Sequence, residues 1–149
     1  MRFLRIFAYS GMIATALMML VGEGNYLLAS ALFVIGTIGF SGGNTFYDSI
    51  LPDIVPYEKR DIVSAKGYMY GYIGGGILLA VNLAMIQKPG WFGLPDTLTP
   101  TRLVFLSVAL WWFVFSLPIF RRVQDSPTGT ILKVSQYAAA GFGRIWKTF

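Results

Sequence analysis

The sequence predicts an all-α, polytopic membrane bundle of four transmembrane helices, and three observations support this. Hydrophobic residues make up 55% of the 149 residues and charged residues only 13%, whereas a soluble domain carries about 25% charge. The mean hydropathy is +0.60. Four apolar runs, each near the roughly 20 residues that cross a bilayer, lie within a unit at 1–122 and predict spans at 4–21, 26–50, 62–86 and 103–120.

The first span follows a short basic segment at residues 1–5. A signal peptide is the alternative, since such peptides join a basic segment to an apolar one. The apolar run is slightly long for that, and no A-x-A cleavage site follows it, so a transmembrane helix is the preferred interpretation. The polar turn Gly22–Asn25 then leads into the second span.

The later boundaries follow from proline and charge. Pro52 is predicted to end the second span, and the charged loop 51–61 leads to the third. Residues 87–101 are rich in proline and glycine and predict an irregular interfacial loop. The aromatic-rich fourth span carries Pro118, which predicts a kink or a stop.

The tail at 123–149 differs in pattern from the four spans. Its apolar residues fall on one helical face beside basic residues, which predicts a cytoplasmic amphipathic helix on an anionic membrane surface, or a linker. The start of a further span is an equally weighted alternative. The residues concerned are Phe142, Ile145, Trp146 and Phe149, with Lys133, Arg144 and Lys147.

The basic residues predict the orientation. With the N-terminus in the cytoplasm, ten of the twelve Lys and Arg residues fall on the cytoplasmic side, and only Lys88 and Arg102 fall outside. This positive-inside bias predicts cytoplasmic termini. The expected location is a bacterial inner membrane. The bias also accounts for the net charge of +5 without a nucleic-acid partner.

A row of polar residues runs along the second span. Thr37, Ser41, Asn44 and Asp48 follow one another in steps of four, three and four residues, which places them on one helical face. Lipid cannot satisfy such a row, so it must face protein or a water-filled path. Asn44 and Asp48 are therefore candidates for a substrate path.

Asp48 has two interpretations. It is either a path carboxylate, or a helix-end acid bonded to Arg60 or Lys66 or capping the next helix near Ser64. The second interpretation is favoured, because a charge near the interface costs little.

The third span carries a glycine row. Gly67, Gly71 and Gly75 form two overlapping small-xxx-small motifs, which allow membrane helices to approach closely. They predict tight packing of the third span on the second. Asn82 continues the row about two turns beyond Gly75 and is the third candidate for a substrate path.

Catalytic chemistry has little support in this sequence. There is no cysteine and no histidine, so the commonest nucleophiles, bases and metal ligands are missing. We therefore predict no enzyme activity, no metal site and no cofactor.

Three motifs suggest a family. The run Phe46–Ile54, the run Val63–Gly67 and the run Gly71–Gly75 together resemble the UMF-type major facilitator superfamily transporters, which are related to the autophagy-linked vacuolar amino-acid effluxers. The resemblance covers nearly the whole chain. It implies a partial major-facilitator fold, equivalent to helices three to six of twelve, and a fragment of a larger carrier.

The resemblance also implies a function. A solute, with amino acids as the class that the family suggests, would move by alternating access between two halves of the carrier. The expected partners are the lipid bilayer, the solute, and either the remaining helices of that carrier or another membrane subunit. The alternative is a freestanding four-helix membrane scaffold or subunit protein.

Overall fold

The computed structural model describes residues 2–95 and 98–123 and contains four long helices. They are α1 (Arg2–Leu17), α2 (Tyr26–Ile54), α3 (Arg60–Gln87) and α4 (Leu98–Arg122). Short 3-10 turns follow α1 and precede α3 and α4. All four helical segments are long and apolar enough to cross a membrane, and the described residues contain no strand. The predicted all-α, four-helix membrane fold is confirmed.

Helix α2 continues through Pro52 to Ile54, so the prediction that Pro52 ends it was wrong. Proline has no N–H, so it cannot donate a backbone hydrogen bond to the carbonyl of Asp48 one turn earlier. The helix tolerates this loss in its last turn, where the Val55 N–H still bonds to the Leu51 carbonyl at 3.1 Å.

Arg60 stabilises this end of α2. Its Nη2 donates to the Pro52 carbonyl at 2.9 Å, and its Nε donates to the Val55 carbonyl at 3.1 Å. A guanidinium at a helix C-terminus satisfies carbonyls that lack an intrahelical partner and complements the helix dipole. The connection between α2 and α3 is therefore held by a side chain at the start of α3.

Helix α4 begins at Leu98, five residues before the predicted span. Pro100 lies in its first turn and is fully buried. Proline is well tolerated there, because first-turn N–H groups have no intrahelical acceptor. Pro118 does not end the helix, which runs on to Arg122.

The core lies where α1 packs along α2 and α4. Leu4, Ala8 and Met12 of α1 are buried with Phe120 of α4. Arg5 closes the same end of the bundle, since its Nη2 donates to the Phe120 carbonyl at 2.6 Å. Helix α1 is thus the central element of the described chain.

Glycine permits the contact between α1 and α2. A Cβ built on Gly39 would lie 2.5 Å from the backbone nitrogen of Gly11, and one built on Gly42 would overlap the Phe7 ring. The two backbones touch at Gly11 and Gly39. This pair was not predicted from the sequence, although its glycines also lie on apolar helices.

The glycine row of α3 is in a different situation. A Cβ built on Gly71 or Gly75 would meet nothing within 4 Å, and one on Gly67 would meet only the Tyr47 hydroxyl, at 3.6 Å. Among residues 2–95 and 98–123, the row therefore does not pack tightly on α2 as predicted. A glycine row permits close approach, but it supplies no large side chain to hold a partner. Its packing against a helix outside the described residues stays a prediction.

Helix α3 makes few contacts with α2 and α4, and within the described chain Asn82 is its one buried residue. The predicted amphipathic tail lies outside the described residues.

Candidate functional site

A groove of about 770 Å³ separates α2 from α3 in the half of the bundle that contains their connection. Its walls are mostly apolar and aromatic, with a few polar groups. The lining residues are Phe40, Asn44, Tyr47, Asp48, Ile50, Leu51 and Ile54 of α2, Val63, Ser64, Gly67, Tyr68, Gly71 and Tyr72 of α3, and Ile119 of α4. An apolar cleft with a small number of placed polar groups is the usual form of a small-molecule site.

Two of the three predicted path residues meet in this groove. Asn44 and Asp48 both line it, one helical turn apart. Asn44 also borders a second cavity, of about 290 Å³, that reaches Leu4 and Ala8 of α1. Thr37 and Ser41, the first two residues of the polar row, do not line the groove. The Thr37 hydroxyl donates instead to the Phe33 carbonyl of its own helix at 2.8 Å.

Asp48 is paired across the groove with a tyrosine. The Tyr68 hydroxyl donates to the Asp48 carboxylate and lies 3.3 Å from both of its oxygens. Arg60 is engaged with the carbonyls at the end of α2. In the described part of the chain, Asp48 therefore forms neither the favoured bond to Arg60 or Lys66 nor the alternative cap of the next helix near Ser64. The reason is that these carbonyls satisfy the guanidinium, while Tyr68 is the side chain that faces Asp48.

Tyr68 was not predicted as a site residue. Tyr68 and Tyr72 share one helical face, and tyrosines at that spacing are typical of an interfacial belt or of interhelical hydrogen bonds. Both residues line the groove. The sequence did contain a pattern that could have identified Tyr68. Ser64 lies four residues before Tyr68 on the same helical face, so this face carries a row of polar groups like the one in α2.

Asn82 lies elsewhere. It is buried, with 5% of its surface exposed, and its Oδ1 lies 2.9 Å from the Ser107 hydroxyl of α4, which shares its one proton between Asn82 and the Val104 carbonyl at 2.8 Å. It does not line the groove. The structure thus brings Asn44 and Asp48 together and places Asn82 in the contact between α3 and α4.

The depth of these groups follows from helix geometry. Phe40 is the midpoint of α2, and the rise is about 1.5 Å per residue, so Asn44 lies roughly 6 Å and Asp48 roughly 12 Å from that midpoint. A hydrocarbon core extends about 15 Å to each side of its centre. With α2 centred in the bilayer, both residues lie at hydrocarbon depth, where polar groups need protein, water or a ligand.

The arrangement is suited to binding. One carboxylate, one amide and several hydroxyls face a space walled by aromatic rings. In the described part of the chain, no group of three or more His, Cys, Asp or Glu residues could hold a metal ion.

Known proteins resemble this chain along most of its length. The family model described as "Vacuole effluxer Atg22 like" matches residues 1–149. An uncharacterized MFS-type transporter, YxiO of Bacillus subtilis, is 32% identical over 83% of this chain and 29% of its own length. Autophagy-related protein 22 of Kluyveromyces lactis is 24% identical over 95% of this chain and 30% of its own length.

A further relative is autophagy-related protein 22 of Pichia angusta, 27% identical over 76% of this chain and 24% of its own length. The chain spans less than a third of the length of these relatives. No solved structure matches it. The family match covers every residue of the chain, and the chain therefore belongs to the family described as "Vacuole effluxer Atg22 like", which is related to the major facilitator superfamily transporters.

Proposed function

We propose that this chain forms part of a secondary transporter that moves a small solute, of the amino-acid class, by alternating access. The observation that carries the proposal is the groove between α2 and α3, where Asn44, Asp48 and Tyr68 face a cavity of about 770 Å³. Polar groups at hydrocarbon depth, on helices that contact each other only loosely, are typical of a transport path rather than of a packing interface.

The loose attachment of α3 also supports movement. Alternating access requires one set of helices to move against another around a fixed site. Here α1 packs firmly with α2 and α4, whereas α3 makes few contacts with either neighbour. A groove between a firmly held helix and a loosely held one can widen without disrupting the core.

The remaining parts of the carrier would complete the site. The chain corresponds to under a third of its relatives, and we propose that further helices of a longer protein cover the exposed faces of α3. Binding and movement of solute then require no covalent chemistry, so we propose no enzymatic step.

The orientation belongs to the same proposal. Both termini lie in the cytoplasm, and the groove opens towards the cytoplasmic side, in a bacterial inner membrane. The chain has no cysteine, so single cysteines at Glu23 and Glu58 can be tested with an impermeant thiol reagent on sealed cells. Glu23→Cys is expected to react and Glu58→Cys is not. Reaction of Glu58→Cys would show that the connection between α2 and α3 lies outside, which contradicts the proposed orientation.

The transport proposal is tested with the full-length carrier that contains this segment. Initial uptake of labelled leucine, tyrosine and glutamate into proteoliposomes is compared for the wild type, Asn44→Ala and Thr45→Ala. Thr45 is the matched control, because it neighbours Asn44 but bonds to the Ser41 carbonyl of its own helix. We expect Asn44→Ala to lower uptake at least about tenfold, since a group at this depth needs a partner.

Equal uptake by Asn44→Ala and Thr45→Ala would contradict a path through the groove. Absence of uptake in the wild type for all three amino acids, with the protein intact in the vesicles, would contradict transport of this solute class.

A further inference from the structure

The carboxylate of Asp48 is only partly satisfied. A carboxylate has about four lone-pair positions, and in the described chain the partner of this one is a single neutral hydroxyl, shared between both oxygens at 3.3 Å. That distance is long for a hydrogen bond from a hydroxyl to a carboxylate, which usually measures about 2.5–2.7 Å. The negative charge of Asp48 therefore has unused hydrogen-bonding capacity directed at the groove.

No lysine or arginine among residues 2–95 and 98–123 compensates this charge in the groove. None of these basic side chains lines the groove, and the nearby Arg60 is bound to the Pro52 and Val55 carbonyls. Asp48 lies roughly 3 Å inside the edge of the hydrocarbon core, where its charge costs less than at the centre but is still best satisfied by a partner of opposite charge. The complement is thus a cation from outside the described chain.

The walls suit an organic cation. Phe40, Tyr47 and Tyr72 line the groove beside Asp48 and Tyr68, and aromatic faces attract ammonium groups by cation–π interactions. Conversely, the described lining offers no positively charged side chain that could hold a carboxylate. The described lining therefore suits a cation better than an anion.

We propose that Asp48, positioned by Tyr68, binds the protonated amine of the solute in the groove between α2 and α3. This inference rests on the proposed function and refines it: this part of the carrier recognises the ammonium end of an amino acid or a related amine, and the carboxylate end, where present, binds elsewhere. Asn44, one turn deeper on the same wall, contacts the polar part of the solute next to the amine.

The test measures binding to the full-length carrier that contains this segment, in phosphatidylcholine nanodiscs, with any cysteine outside the segment replaced by serine. A Ser64→Cys variant supplies a single thiol in the groove, because Ser64 lines it and the chain has no other cysteine. The rate of its modification by a water-soluble thiol reagent is followed against increasing concentrations of leucinamide, leucine or 4-methylpentanoate. Leucinamide carries the amine without a carboxylate, and 4-methylpentanoate carries the carboxylate without the amine.

We expect leucinamide and leucine to slow the modification and 4-methylpentanoate to leave it unchanged. Adding Asp48→Asn should raise the half-protecting concentration of leucinamide by about tenfold or more, because hydrogen bonds to a charged group are the stronger kind. Asp48→Glu, which keeps the charge, should retain protection, and Asp53→Asn is the control because that carboxylate lies outside the groove. Tyr68→Phe should raise the half-protecting concentration by a smaller factor.

Protection by 4-methylpentanoate equal to that by leucinamide would overturn the proposal, and so would unchanged protection in Asp48→Asn. These outcomes are independent of transport. If the full-length carrier fails to take up amino acids but leucinamide protects only when Asp48 carries its charge, the amine site stands and the transport proposal falls. If the carrier takes up amino acids without this protection pattern, the transport proposal stands and the amine site falls.

Discussion

Helix α2 meets α1 and α3 in very different ways, although glycines lie in both regions. Towards α1, Gly39 and Gly11 bring the two backbones into contact, with no room for a Cβ. Towards α3, Gly71 and Gly75 have open space around them, and a groove of about 770 Å³ lies between the helices. Glycine at helical spacing therefore allows close packing without determining it.

The difference arises from what surrounds the glycines. Around Gly11 and Gly39, large side chains from a third helix complete the contact: Trp112 of α4 lies over Gly11, and its ring packs edge to face on Phe40 at 5.9 Å. In α3, Tyr68 and Tyr72 extend into the groove next to the glycine row. One region is a close contact between two backbones, and the other is an open groove between two helices.

Alanine substitutions in the two glycine sets should produce the largest contrast. Gly39→Ala places a methyl group 2.5 Å from the Gly11 backbone, so the helices must separate. Overpacking of this kind costs about 1–3 kcal/mol or more. Gly71→Ala meets no atom within 4 Å and should leave stability unchanged or slightly raised. The measurement is the apparent Tm of each variant in detergent.

A lower Tm for Gly71→Ala in lipid nanodiscs, alongside an unchanged Tm in detergent, would show that another membrane helix packs on the α3 row. Equal Tm values for Gly39→Ala and the wild type would contradict the close contact between α1 and α2.

The second-largest contrast is expected in how readily a thiol reagent reaches the two regions. Leu4→Cys and Ser64→Cys lie near the same end of the bundle, but Leu4 is 5% exposed in the core and Ser64 lines the groove. A water-soluble thiol reagent should modify Ser64→Cys at least about tenfold faster, because a thiol must be reachable and ionised to react. Similar rates would mean either that the groove is closed in the membrane or that the core opens readily.

The smallest effect is expected at the hydrogen bond between α3 and α4. Ser107 donates to the buried Asn82 at 2.9 Å, and such bonds between membrane helices average about 0.6 kcal/mol, with a maximum near 1.7. A double-mutant cycle with Asn82→Ala and Ser107→Ala should give a coupling energy in that range. A coupling energy near zero would show that this hydrogen bond does not help to hold α3 on α4. A value above about 2 kcal/mol would show that α3 is held more firmly than its few contacts suggest.

Much of the fold could be predicted from the sequence, because hydrocarbon imposes strict requirements. A membrane helix must be about 20 apolar residues long and must satisfy its own backbone, so composition and run length were enough for four helices. The same requirement identified Asn44 and Asp48, since polar groups on an apolar helix need an environment other than lipid. Both residues line the groove.

Helix ends and partners depended on tertiary structure. Pro52 was expected to end α2, but Arg60, eight residues later, supplies donors to the carbonyls at that end, and no local rule anticipates such a side chain. In the same way, Asp48 was expected to bond to a basic residue or to cap the next helix, although the approach of α3 places the Tyr68 hydroxyl beside it.

The choice between the two glycine sets was decided by packing alone. Gly11 and Gly39 have no more distinctive spacing than Gly67, Gly71 and Gly75, yet only the first pair lies at a tight contact within the described chain. Local sequence determines which helices can approach closely, because removing a Cβ removes a steric barrier. Which of them do approach depends on the side chains that a third helix adds, here Trp112 and Phe120 of α4 against α1, and these come together only in the folded bundle.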